Sequence, residues 1–491
     1  MIKKYSLLLY AIALTVMPSA AISVVGSAGE LRNIITDYAN VSELSLSGTV
    51  DATDLFFIAE VLPSLRTLDM RECTIVAYVG NEVGQLTSYG NNAIPQSVFA
   101  GTALEEVLLP VAGAIEIGDC AFAGTALKSI EIPANTVAVG QGAFSGCPFL
   151  TSVKIGKYKS GGYIFSNCPA LSTADVTGAT SIGIADFALC TALTNVKGSE
   201  NLEEIGTEAF NACLSLSNFN FGEKIHAIGE SAFAYTALSK VDLSSTSITH
   251  IGGWCFAGCA ALSSVKLPKT ATELGKGAFF DCSSLSTVSL PTDIDTINDY
   301  TLKGTSIKGI NIPEGVTTIG RLAMAGASQT STVGLPSSLT YIDDNAMEGM
   351  TGLKTIYAAS LPEVPQLGSD VWAGVDQASV RLEVNENIAS LYEEAAQWQD
   401  FDIVPSDPDS GITDPASTPA LRACIVGETL IVEATDTIKS LELFNASGAL
   451  LLRKSIAGTS VQTNISDFNT RIFLVRCILD NGTVATLKLG R

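Results

Sequence analysis

The chain has 491 residues, 47% of them hydrophobic and only 16% charged, and its 28 Lys and Arg against 50 Asp and Glu leave a formal charge of -22. So acidic a surface repels phosphate backbones and anionic lipids, which sets nucleic acid aside as a partner. The length alone would indicate about three globular domains, but that estimate gives way because the sequence repeats.

Residues 1–21 read as a secretory signal peptide: Lys3 and Lys4 precede an apolar run from Tyr5 to Val16, and Pro18, Ser19, Ala20 and Ala21 supply a small-x-small cleavage site. The run is shorter than the roughly 20 residues that a bilayer span requires. Cleavage is therefore expected near Ala21, leaving no transmembrane segment, and the first cysteine, Cys73, is too distant for a lipid anchor. Residues 22–90 follow as an N-terminal cap of degenerate repeats. Leu31, Ile34, Ile35 and Tyr38 have helical spacing before "SELSLSG", and a second helical run, Leu55 to Leu62, leads into Leu65, Leu68 and Met70. A stack of coils needs such a cap, since its terminal coil would otherwise expose the core.

Residues 91–358 carry one recurring unit, I-G-x-x-A-F-x-x-C/T-x-x-L-x-x-V-x-L-P, seen in "IGDCAFAGTALKSIEIP", "IGGWCFAGCAALSSVKLP" and "LGKGAFFDCSSLSTVSLP". Its aromatic column runs Phe99, Phe122, Phe144, Phe165, Phe187, Phe210, Phe233, Phe256, Phe279, Leu302, Met324, Met347 and Trp372. Successive members lie 21 to 23 residues apart, the last pair 25, a period within the leucine-rich-repeat range. Apolar alternation at Leu262, Val265 and Leu267 predicts a short strand with one face inward, and stacking such strands predicts a parallel sheet along one side. Pro268, Pro291 and Pro313 follow their strands directly and end the ladder. The Gly of the I-G step, as at Gly206 and Gly229, is expected to supply a positive φ or a close backbone contact.

Six of the 11 cysteines, Cys147, Cys168, Cys190, Cys213, Cys259 and Cys282, stand three residues after the repeat aromatic, where other units carry Thr102, Thr125, Thr236, Thr305 or Ala327. A column that exchanges Cys for Thr and Ala requires a small buried side chain, so free thiols are expected rather than disulfides. No Cys-x-x-Cys pair is present, and Cys255 with Cys259 lacks partners at zinc-site spacing. No metal or other cofactor is expected.

Residues 359–404 hold the last repeat and a C-terminal cap. Ile388, Leu391, Tyr392, Ala395 and Trp398 predict an amphipathic helix with Glu393 and Glu394 outward. Residues 405–420, "PSDPDSGITDPASTPA", form a linker. In 421–491, short apolar strands such as "TLIVEA" and "RIFLVRCIL", separated by "ASG" and "DNG", predict a small antiparallel β-sandwich. The fold class is thus an α/β-type leucine-rich-repeat solenoid with a parallel sheet on one face and few helices, followed by that sandwich.

An enzyme would need convergent acid, base or nucleophile residues. His226 and His250 occupy different repeat columns, and the adjacent acids Glu203 with Glu204 and Asp343 with Asp344 read as solvated turn charges, so no catalytic residue is proposed. The candidate binding surface is the outward face of the sheet. One row reads Glu131, Lys154, Asp175, Lys197, Asn220, Asp242 and Lys266, with alternating signs; a neighbouring row, including Ser152, Asn195, Asn218 and Lys240, is small and polar. Tyr357 is the aromatic of these rows, which matters because protein hot spots favour Trp, Tyr and Arg.

With "AFAGC", "LSSVKLP", the opening segment "LSLSGTVDATDLFFIAEVLPSLRTLDM" and the closing segment "VRLEVNENIASLYEEAAQWQDFDIV" in hand, residues 28–404 resemble the BspA-like leucine-rich-repeat surface proteins of Bacteroidetes-type bacteria. The C-terminal "IKSLELFNASGALLLRKSIAG" to "RIFLVRCILDNGTVATLKLGR" is similar to type IX secretion sorting domains. The resemblance implies a secreted or outer-membrane cell-surface protein with a non-catalytic, adhesion-type role, whose partner is a host or bacterial surface protein or glycan. The alternative is an envelope component for carbohydrate capture or processing, which an aromatic-lined pocket near Trp372 or Trp398 would favour.

Overall fold

The computed structural model describes residues 20–84, 86–406, 421–426, 429–445, 449–466, 468, 472–479 and 484–490. Apart from Ala20 and Ala21, the expected signal peptide lies outside the described residues, as do residues 407–420 of the expected linker. The chain divides into two compact units, Met1–Leu262 and Ser263–Arg491.

The first unit opens on its cap. Strand Ala20–Gly26 (β1) pairs in parallel with Val41–Val50 (β2), β2 with Thr67–Ile75 (β3), and β3 with the first repeat strand, Glu106–Leu108. Two helices cover this sheet segment in sequence, Leu31–Ile34 (α1) and Ala52–Val61 (α2). The start of α2 is fixed by a capping box: Asp51 accepts from the Thr53 and Asp54 amides, and Asp54 accepts in return from the Asp51 amide. Asp54, 2% exposed, also takes the Gly29 amide at 2.8 Å and the Leu31 amide at 3.0 Å, so one buried carboxylate ties the start of α1 to α2. Burial raises the pKa of Asp54 despite these donors. Between β3 and the repeats the chain adds an antiparallel hairpin, Tyr78–Val83 with Leu86–Tyr89, which the Gly-rich sequence there did not signal.

Most coils then contribute to two parallel ladders. Ser129–Glu131, Ser152–Lys154, Thr173–Asp175 and Asn195–Lys197 pair residue for residue, as the alternation predicted. The second ladder forms at the I-G step, where Ser181–Ile182, Glu204–Ile205, Ala227–Ile228 and His250–Ile251 follow one another. Two residues are too few to show an alternation, so this ladder had no sequence signal. Inside the coils, the eight column rings from Phe99 to Phe256 are 0% exposed, and successive rings stack with centroids 5.2 to 5.7 Å apart and planes within 20°.

The thiols are free and buried along the column, and they do more than fill space. The sulfur of Cys168 donates to the Phe144 carbonyl of the preceding coil at 3.3 Å, Cys190 to Phe165 at 3.1 Å and Cys213 to Phe187 at 3.2 Å. Threonines in the same column turn the hydroxyl to the aromatic carbonyl of their own coil, as Thr125 to Phe122 at 2.9 Å and Thr236 to Phe233 at 2.9 Å. Cys and Thr exchange there because each is small and offers one donor to an aromatic carbonyl, adding to the backbone amide that carbonyls such as those of Phe122, Phe187 and Phe233 already accept.

The glycines of the I-G step meet the preceding coil closely: a Cβ on Gly206 would stand 2.8 Å from the Gly183 backbone and one on Gly229 2.4 Å from the Thr207 amide nitrogen. The positive φ lies two residues later and falls in most coils on a non-glycine residue, as at Tyr163 (58°), Glu208 (56°), Ser231 (54°) and Trp254 (56°). Each such residue costs about 1 kcal/mol, offset by an amide bond to the next coil, as from Tyr163 to the Ile184 carbonyl at 2.7 Å.

Asp186 occupies the alanine column. Its carboxylate accepts from the amides of Gly183 (2.7 Å) and Ile164 (3.2 Å) and from the Ser160 hydroxyl (3.1 Å). Burial outweighs these donors and pushes the pKa up from 3.8 to about 6. A folded pKa above the unfolded value means stability that is full below about pH 4 and lost as pH rises through about 6. Relative to Asp186→Asn, the wild type is expected to lose roughly 3 kcal/mol over that window at 1.36 kcal/mol per unit. Urea unfolding at pH 4 and pH 7 checks this, and parallel profiles for the two proteins would refute it.

In the second unit, Gly309–Asn311, Thr332–Gly334, Thr355–Ala358, Arg381–Asn385 and Asp402–Ser406 form one parallel ladder, and Thr296–Ile297, Thr318–Ile319, Tyr341–Ile342 and Gln366–Leu367 the other. The last strand carries Pro405 and Ser406, so the strand runs two residues into the expected linker; a proline is tolerated there because this is an edge strand. The cap helix is also shorter than expected, Ala389–Glu394 (α3), with Leu391 52% exposed. Trp398 lies beyond the helix and is still buried, its indole donating to the Pro365 carbonyl at 3.1 Å and packing on Trp372 and Tyr392.

The final residues form a curled antiparallel sheet built on Thr429–Asn445, which pairs with Leu421–Val426, Leu450–Asn464 and Ile472–Leu479; Val484–Gly490 completes it. Leu441, Leu443, Phe473, Val475, Cys477 and Leu479 alternate into its core. On the other face Glu442 is held between Arg453 (2.8 Å) and Arg476 (3.6 Å).

Candidate binding face

Along most repeat strands the middle residue points in and its neighbours point out, so Val153 is 3% exposed while Lys154 is open to solvent. The register sets Glu131, Lys154, Asp175 and Lys197 side by side across four strands. Lys154 Nζ lies 2.6 Å from Glu131 Oε1 and Lys197 Nζ 3.0 Å from Asp175 Oδ2. Asp175 is held down at about 2, first by the Thr177 side chain and amide and then by Lys197, while the Glu131 carboxylate raises the pKa of Lys154. These four residues therefore form two surface ion pairs, each a weak stabiliser.

Asp242 sits in the strand Lys240–Asp242 and accepts from the Ser244 amide at 3.1 Å. Lys266 belongs to the other unit, in Ser264–Lys266, in register with Ser289. Tyr357 is half-buried, flanked in register by Gly334 and Glu383. Of the seven residues, four stand side by side in register, and Lys266 and Tyr357 lie in the second unit.

A third row was missed by reading only the alternating positions. Just before the strands, Glu105 bridges Arg66 (3.7 Å) and Lys128 (2.5 Å), and Lys128 draws the Glu105 carboxyl below the usual range. The face is also interrupted. Phe219 and Phe221 occupy the two inward strand positions, and residues 217–221 form no strand.

The histidines are solvated: His226 Nε2 lies 3.3 Å from Glu204 Oε1, and His250 Nδ1 is 2.8 Å from the Thr249 hydroxyl. Asp343 accepts from the Asp344 amide and Asp344 from the Ser369 amide, so these acids organise turns. Among the described residues no group of three or more His, Cys, Asp or Glu could hold a metal ion, and no helix is long and apolar enough to cross a membrane. A depression of about 640 Å³ is bordered by Trp372 and Gln397, yet Trp372 is 2% exposed and offers no stacking face.

Coils of this length, with a buried aromatic column and outward strand rows, define a leucine-rich-repeat solenoid. The family model described as the BspA type leucine rich repeat region matches six copies, over residues 92–183, 159–285 and 249–379, more than half of the chain. The chain therefore belongs to the BspA-type leucine-rich-repeat family. No curated protein matches its sequence. Similar solved structures include a leucine-rich repeat protein from Bacteroides ovatus (19% identity, 75% of this chain and 86% of that one, TM-score 0.48). Others are a leucine rich cell surface protein from Faecalibacterium prausnitzii (23%, 49% and 82%, 0.32) and the pneumococcal vaccine antigen PcpA (15%, 79% and 84%, 0.35).

Proposed function

We propose that the chain is a secreted or cell-surface protein that binds a host or bacterial surface protein or glycan through its outward sheet face, in an adhesion-type, non-catalytic role. The observation that carries this reading is the division of labour in each coil. The column aromatic and the Leu of the coils are turned into the core, whereas Glu131, Lys154, Asp175 and Lys197 are aligned outward on a face spanning four strands. Exposed, mutually neutralised charges favour many shallow contacts and specificity over raw affinity. Solid-phase binding of the chain from residue 22 onward to matrix proteins and mucin glycans tests it; saturable binding to at least one is expected, and none to any refutes it.

The export reading rests on Lys3, Lys4 and the apolar run behind them, and the sorting reading on the C-terminal strands. Deleting residues 421–491 is expected to leave the coils folded and to abolish surface attachment. A truncated protein still found on the cell surface, by protease shaving of whole cells, contradicts the sorting role.

A further inference from the structure

We propose that the break in the strand ladder around Phe219 is a glycan site whose ligand is an uncharged, hydroxyl-rich oligosaccharide; this deepens the binding-face reading and rests on it. Neighbouring coils place Val153, Ala174, Val196 and Val241 at the inward position that Phe219 fills. The Phe219 ring is wedged beside Phe210 (5.3 Å) and Phe233 (4.9 Å), and the Phe221 ring lies 5.2 Å from Phe233. A core coil already filled by stacked rings has no room for two more, so the strand segment is displaced.

The displacement unzips one side of the ladder. In intact coils the Ser172 amide donates to Thr151 at 3.0 Å, Asn195 to Ser172 at 3.2 Å and Val176 to Lys197 at 2.8 Å. Among the described residues no equivalent backbone bond joins 217–221 to Asn195–Lys197; the link that remains is the Ser199 hydroxyl donating to the Asn220 carbonyl at 3.0 Å. The second ladder stays closed behind it, with Glu204 opposite Ala227 and Ile205 opposite Ile228. The coils cannot then part by the roughly 4.8 Å that an inserted strand needs, which disfavours an extended peptide as occupant.

What borders the break has the chemistry of a sugar site. Asn195, Asn218 and Asn220 are exposed around the half-buried Phe219 ring. An amide both donates and accepts, as a sugar hydroxyl does, and unpaired strand amides and carbonyls add more of both. The charges that border the break balance, Asp175 against Lys197 in the preceding coil and Lys240 against Asp242 in the following one, which favours a neutral ligand.

Calorimetric titration of the full chain with cellohexaose, chitohexaose and released mucin O-glycans tests this. Saturable binding of at least one is expected, weakened at least tenfold by Asn218→Ala with Asn220→Ala. Phe219→Val with Phe221→Leu, which restores the residue sizes of the other coils, is expected to abolish binding and slow amide exchange at 217–221 while the protein stays folded. The proposal is overturned if none of the three glycans binds, if gelatin binds at the break in their place, or if both double variants bind within twofold of wild type. A chain that binds a matrix protein through the Glu131 to Lys197 row yet no glycan sinks this inference and leaves the binding-face reading standing.

Discussion

Replacing Phe144 by alanine is expected to lower the unfolding free energy by about 3–5 kcal/mol, the range for deleting a fully buried aromatic. The ring has 0% exposure and stacks between Phe122 at 5.2 Å and Phe165 at 5.6 Å, so its loss leaves a cavity bordered by two coils. Collapse around that cavity is limited, because both ladders hold the coils at fixed spacing. Stability in a stack is a sum of coil and neighbour terms, so breaking one interface weakens two coils at once. Phe144→Leu is expected to be milder by several-fold, since Leu302 fills the same column in the second unit. Guanidinium unfolding followed by circular dichroism reads both, and an alanine variant within 1 kcal/mol of wild type, roughly the scale of an ordinary surface change, would remove the column from its central place.

Asp54→Ala should be comparably damaging, by about 3 kcal/mol or more, for a different reason. The substitution strips the partner from the Gly29, Leu31 and Asp51 amides, and bonds to a charged acceptor are worth roughly 1.5–3 kcal/mol each before solvent takes over. It also breaks the capping box that starts α2. Fraying of the cap would uncover the first coil. Asp54→Asn keeps one carbonyl acceptor and should recover part of the loss. Thermal unfolding of both variants checks the order; an unchanged midpoint for the alanine variant would contradict it.

The period, the inward aromatic column and the first ladder were legible in the sequence because each repeats one physical requirement about every 23 residues. The second ladder was not, because most of its strands are two residues long. The break at Phe219 was hidden by its apolarity: a pattern of apolar positions does not separate a phenylalanine from a valine, although the difference in volume decides whether the ladder closes. In the C-terminal cap, helical spacing counted Leu391 as inward, but the chain leaves the helix after Glu394. The reason lies in Gln397, with φ at 65°, whose side chain accepts from the Val371 amide at 3.0 Å and donates to the Gly368 carbonyl at 2.8 Å. Satisfying the open backbone of the last coil outweighs continuing the helix, and no local pattern announces that.

The candidate row was legible as far as its register, since Glu131 to Lys197 do align, and illegible where it depends on interruptions and on the pre-strand row of Arg66, Glu105 and Lys128. The most direct measurement compares saturable binding of the wild type and of a variant with Glu131, Lys154, Asp175 and Lys197 all changed to alanine, across immobilised matrix proteins and mucin glycans. The expected result is binding by the wild type and at least a tenfold loss in the variant, with unchanged circular dichroism. Binding left intact in the folded variant, or absent from the wild type, would contradict the assignment of function to this face.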